Sequence, residues 1–103
     1  EHPDAFREGP WFKPKWDHIF FFAYILFSES TDKYYVGSTQ DLQKRLLRHN
    51  SGHMIATKAG VPWKMVWSQS FETRAEAFQK EREIKKKKSR KYIQWLIDSS
   101  DVG

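Results

Sequence analysis

The chain holds nine consecutive apolar positions, IFFFAYILF from Ile19 to Phe27, its longest hydrophobic run. The run is short and aromatic, which suits a buried strand better than a helix. ESTDK follows as a turn, and KYYVGS from Lys33 reads as a second strand, so the pair is expected to form a hairpin. The period then changes. In DLQKRLLRHN, Leu42, Arg45, Leu46 and His49 fall at helical spacing on one face. Ser38 or Thr39 is the expected cap of this helix, with Asp41 in its first turn and Gly52 at its stop. HMIATKAGVP reads as a loop, and WKMVWSQSF, 63–71, as a third strand. A helix starts at Thr73, with Thr73 and Glu76 at capping-box spacing. A last helix restarts at SRKYIQWLIDSS with Ser89 as its cap. The order is ββαβαα. It predicts an α+β fold, a small three-stranded antiparallel sheet flanked by helices, over residues 19–98. Pro3, Pro10 and Pro14 break any period in an N-terminal extension, 1–18, and a short tail spans 99–103.

Composition narrows the class. One hundred and three residues are enough for one domain and one core. Charged residues make up 30% and aromatics 17%, so large rings must fill the core or a binding surface. The sequence has no cysteine, which excludes disulfides and thiolate metal sites and fits a reducing cytoplasm, the expected location. No apolar run approaches the roughly 18 residues of a membrane span. No positive cluster precedes the first apolar run, so a signal peptide and a membrane partner are not expected.

Charge points to a polyanion. The net charge is +5, yet KEREIKKKKSRK, Lys80 to Lys91, holds eight bases against two acids. The rest of the chain is near neutral. A local stripe of this kind suits nucleic acid first, although a solvated helix face is an equally plain reading.

Three polar residues occupy positions that packing would fill with apolar ones. Arg45 and His49 share the leucine face of the first helix. Glu81 lies with Ala77 and Ile84 on one stripe of the second, with Phe78 beside it. A buried charge needs a partner or a metal. One resolution is a structural ion pair, Arg45 to Glu81, that ties the helices together. The other is a site in which Glu81 holds a divalent cation and the fork of Arg45 holds a phosphate. Tyr24 and Tyr35 lie in the two strands and bring hydroxyls that want partners if buried.

The run YIL…KYYVG…RLLRHN…TK…PW…EAFQKEREIK…SRKYI resembles the small, stand-alone bacterial members of the GIY-YIG nuclease superfamily. It is similar to the catalytic domains of the UvrC excision-repair subunit and of intron homing endonucleases. The resemblance covers about Phe20 to Ile97. It rests on the order and spacing of Tyr24, Tyr35, Arg45, His49 and Glu81. The resemblance implies that these five are catalytic, that Glu81 binds Mg²⁺ or Mn²⁺, and that Lys58 is a basic position of the subgroup. Two departures stand out. Phe22-Ala23-Tyr24 keeps only the tyrosine of the first signature word. The later asparagine of many members has no counterpart, since the lone asparagine is Asn50.

The implied activity is metal-dependent hydrolysis of DNA phosphodiester bonds, with repair or recombination as the expected setting. Arg45 would neutralise a nonbridging oxygen and a tyrosine would act as base, Tyr24 in preference to Tyr35. Lys58, Lys85, Lys86, Lys87 and Lys88 would meet flanking phosphates, which position a strand without reading its sequence. A domain this small has little surface for base readout, so structure-selective or weakly specific cleavage, on branched or single-stranded DNA, is the expectation. The alternative is an inactive nucleic-acid-binding module with the same fold. No small-molecule cofactor is expected.

Overall fold

Strand β1 (Phe21–Ser28) is the centre of a three-stranded antiparallel sheet, between β2 (Lys33–Thr39) and β3 (Trp63–Phe71). The computed structural model describes residues 19–100, so the expected extension lies outside the described residues. Helix α1 (Leu42–Asn50) follows β2. A 3₁₀ turn (Lys58–Gly60) precedes β3, and α2 (Arg74–Lys87) and α3 (Arg90–Ser100) close the domain. The element order is ββαβαα, as the hydrophobic pattern requires.

A strand covered on both faces can be continuously apolar, and β1 is: Ala23 through Leu26 are fully buried. Alternation sorts these residues into two cores. Ala23 and Ile25 join Val36, Trp67, Ile84, Ile93 and Leu96 beneath α2 and α3. Tyr24 and Leu26 join Trp63 on the opposite face, with Tyr35, Leu42 and Leu46 against them. Helix α1 therefore covers one face of the sheet, and α2 with α3 covers the other. Strand β2 is an edge of the sheet.

The helix ends follow local chemistry. Thr73 and Glu76 form the capping box of α2. Lys88 takes a left-handed conformation, φ 48°, which ends α2, and the Ser89 hydroxyl accepts from the Tyr92 N–H to start α3. The cap of α1 differs from expectation. Asp41, not Ser38 or Thr39, is the N-cap, and its carboxylate accepts from Lys44 N–H at 3.0 Å. Thr39 instead accepts from the Asp41 N–H, and Ser38 remains in β2. Phe78 also departs. It is 49% exposed beneath the Arg82 guanidinium, because it turns away from the face shared by Ala77, Glu81 and Ile84.

Candidate active site

Tyr24 and Gly37 are direct partners across β1 and β2. The phenol of Tyr24 lies over that glycine so closely that a β-carbon on Gly37 would sit 2.6 Å from the hydroxyl oxygen. Only glycine leaves the room. The hydroxyl then reaches His49 Nε2 at 3.0 Å, and His49 Nδ1 lies 3.0 Å from the Thr57 hydroxyl. Tyr35 closes the cluster, its ring edge-on to His49 with centroids 4.8 Å apart and 6.5 Å from the Tyr24 ring. His49 belongs to the core side of α1 and is fully buried, deeper than a rim position. The expected leucine face holds: Leu42, Arg45 and Leu46 are half-buried, whereas Leu47 is 71% exposed.

A neighbouring clamp holds α1 to β3. The Asn50 side chain accepts from Trp63 N–H at 2.6 Å and donates to the Trp63 carbonyl at 3.1 Å. The lone asparagine is thus a structural tie behind the site. Trp63 Nε1 in turn donates to the Thr57 carbonyl at 2.8 Å, which fixes the loop that carries Thr57.

Glu81 approaches the edge of β2 from the other side. Its side chain is 13% exposed, and its two oxygens accept from Ser38 Oγ at 2.7 Å and Lys85 Nζ at 2.6 Å. The Arg45–Glu81 ion pair, one of the two resolutions of the buried charges, is not formed. Among the described residues Arg45 has no carboxylate partner, and Glu81 pairs with Lys85 one turn along α2.

The charges nevertheless converge on Tyr24. Burial pushes its hydroxyl up to about 12. The Arg45 guanidinium beside it pulls the other way, and Tyr35 and Glu81 add to the rise. Burial, with Arg45 second, holds His49 below the usual histidine range, so its imidazole is neutral at pH 7.

The structure thus groups Tyr24, Tyr35, Arg45 and His49, with Glu81 in electrostatic reach across β2. Lys58 is exposed at the start of the 3₁₀ turn, directly after Thr57. Lys85 serves Glu81. Lys86, Lys87 and Lys88 are exposed, and Lys87 lies 5.1 Å over the Tyr92 ring. Beyond Glu81 along β2, Lys33, Lys85, Lys88 and Arg90 rim a cleft of about 300 Å³. Sequence reasoning missed Ser38 and Thr57 as members of the site.

A family model, the GIY-YIG catalytic domain, matches residues 20–93. The chain belongs to the GIY-YIG family. Its similar relatives are proteins of comparable length. A UPF0213 protein of Streptococcus pneumoniae serotype 4 (strain TIGR4) is 36% identical over 81 residues, covering 77% of this chain and 82% of the relative. The UPF0213 protein YazA of Bacillus subtilis is 39% identical over 75 residues, covering 69% and 76%. The solution structure of the UPF0213 protein BH0048 from Bacillus halodurans is 28% identical, covers 78% of this chain and 84% of that one, and superposes with a TM-score of 0.49. GIY-YIG domains form a nuclease-type family, and that is the context in which the cluster around Tyr24 acquires a chemical meaning.

Proposed function

We propose that this domain is a divalent-metal-dependent endonuclease that hydrolyses DNA phosphodiester bonds with structural rather than sequence preference. The observation that carries the reading is the Tyr24 hydroxyl, set between His49 and Arg45, with the Glu81 carboxylate across the strand edge.

The donor set at Glu81 fits Mg²⁺ or Mn²⁺. Such ions keep most of their waters and take one or two carboxylates plus substrate oxygens. Among the described residues no group of three or more His, Cys, Asp or Glu forms an all-protein cage, which suits that mode. The Lys85 ammonium, 2.6 Å from Glu81 Oε2, already occupies a cation's position there. A divalent ion held by Glu81 would supply charge neutralisation at the scissile phosphate and at Glu81 itself.

The chain's own residues do the rest. Arg45 donates to a nonbridging phosphate oxygen and stabilises the charge that develops on it. Tyr24 is the general base. A phenol at about 12 holds its proton at neutral pH, so Tyr24 depends on positive charge around it. Arg45 supplies part, and Glu81, once neutralised, no longer opposes it. Tyr24 enters the step as the phenolate and takes a proton from the attacking water, which adds to phosphorus in line with the leaving 3′ oxygen. His49 orients Tyr24 through the hydrogen bond at Nε2. Lys58, Lys86, Lys87 and Lys88 meet flanking phosphates as point charges. The cationic cleft beside Glu81 extends that track along β2.

The test is a cleavage panel of single-stranded, duplex, flapped and branched DNA, each with Mg²⁺, Mn²⁺ or EDTA. Metal-dependent cleavage of at least one structure is expected, which would fit a role in repair or recombination. Binding without cleavage across the panel would make the domain a nucleic-acid-binding module instead.

A further inference from the structure

The proposed mechanism gives the Thr57 hydroxyl no part, yet that group is sealed against the site. Thr57 is 1% exposed, and its backbone groups are committed elsewhere. Its N–H donates to the Met54 carbonyl at 3.1 Å, and its carbonyl accepts from Gly60 N–H and Trp63 Nε1. Among the described residues its hydroxyl has one partner, His49 Nδ1.

Counting hydrogens along Thr57–His49–Tyr24 gives an unequal result. Each hydroxyl carries one hydrogen, and a neutral imidazole carries one N–H and one lone pair. Three hydrogens therefore compete for two hydrogen bonds when Tyr24 is a phenol. With Tyr24 ionised the count closes. Thr57 O–H donates to Nδ1, and Nε2–H donates to the phenolate oxygen. Every hydrogen and both imidazole nitrogens are then used. Arg45 adds a cationic neighbour on the same oxygen.

We infer that Thr57 is a positioning residue that makes His49 a hydrogen-bond donor to Tyr24, so that the buried network is matched to the Tyr24 phenolate rather than to the phenol. This deepens the reading of Tyr24 as base and rests on it. Thr57 touches no reacting atom. It acts through His49, by holding the proton of the ring on Nε2. Without its hydroxyl, the phenolate state would leave Nδ1 as a buried acceptor with no donor. Tyr24 would then hold its proton more tightly, by about one pKa unit, a missing hydrogen bond being worth about a factor of ten.

The test needs no DNA. A fluorinated tyrosine at position 24, more acidic than tyrosine, brings ionisation into a pH range where the protein is folded. Its ¹⁹F titration is followed in the parent, Thr57→Val and Thr57→Ser backgrounds, and the ¹⁵N resonances of His49 are read in each. The other groups that face Tyr24, which are Tyr35, Arg45 and Glu81, are the same in all three. The expected result is a rise of about one unit in Thr57→Val, restoration by Thr57→Ser, and a His49 that carries its proton on Nε2 when residue 24 is ionised. An unchanged titration in folded Thr57→Val would overturn the proposal. So would a parent protein whose ionised state has the proton on Nδ1, which requires no variant to fold. An inactive domain could still give the expected titration, so failure of the nuclease reading and failure of this one are separable.

Discussion

The Tyr24 hydroxyl lies against Gly37 and 3.0 Å from His49 Nε2, so the backbone of β2 and the side chain of α1 fix one phenol oxygen between them. Gly37→Ala would put a β-carbon 2.6 Å from that oxygen and force the ring to move. The expected cost is about 1–3 kcal/mol of stability from overpacking. Cleavage should fall further, about 100-fold, because a small misplacement of a reacting group is amplified in rate. Thermal unfolding and single-turnover cleavage measured together separate the two effects.

His49 gives stability a pH dependence. Burial and Arg45 hold its folded pKa below the ordinary 6.5, so the unfolded chain takes up the proton first as pH falls. Stability from this group is complete above pH 6.5 and is lost progressively below it, down through the folded pKa. His49→Gln should flatten that part of the curve. Urea unfolding from about pH 7.5 to about pH 5 checks it, and parallel curves for parent and variant would rule the linkage out.

Lys85 competes with a metal for Glu81, since its ammonium sits 2.6 Å from Oε2. Lys85→Met should lower the Mg²⁺ concentration that gives half-maximal cleavage by a few-fold, about the effect of one partly exposed ion pair. A rise in that concentration would mean that Lys85 helps the metal bind.

Lys86 and Lys87 are exposed and belong to no ion pair among the described residues. Replacing both with Gln should weaken DNA binding evenly across sequences. It should also reduce the log–log salt slope by about 0.9 for each duplex phosphate no longer neutralised. Anisotropy titrations at several salt concentrations read this directly, and an unchanged slope would remove these lysines from the interface.

The element order was legible because the apolar period changes cleanly from a continuous run to helical spacing. Arg45, His49 and Glu81 stood out because they interrupt apolar stripes, and their order with Tyr24 and Tyr35, on which the family resemblance rests, made them a candidate site. The depth of His49 was not legible, since a helical wheel gives direction but not how closely Tyr24 and Tyr35 close over it. Ser38 has the chemistry of a helix cap and so hides its place in the strand. Its alternation with Val36 is the available signal, because that face turns toward α2 and Glu81. The Lys85–Glu81 pair is written in the i, i+4 spacing but hidden in a run of four lysines. Thr57 has no signal, lying in a loop without a period and meeting His49 only through the tertiary fold.

Single-turnover cleavage by the parent, Glu81→Ala and Arg45→Ala, on whichever DNA structure is cut, tests the central claim most directly. Cleavage by the parent should need Mg²⁺ or Mn²⁺. Arg45→Ala should lose about 10²–10³-fold, the scale of removing one transition-state donor, and Glu81→Ala a comparable or larger factor. Cleavage by both variants at the parent rate, with the metal dependence intact, would contradict the claim.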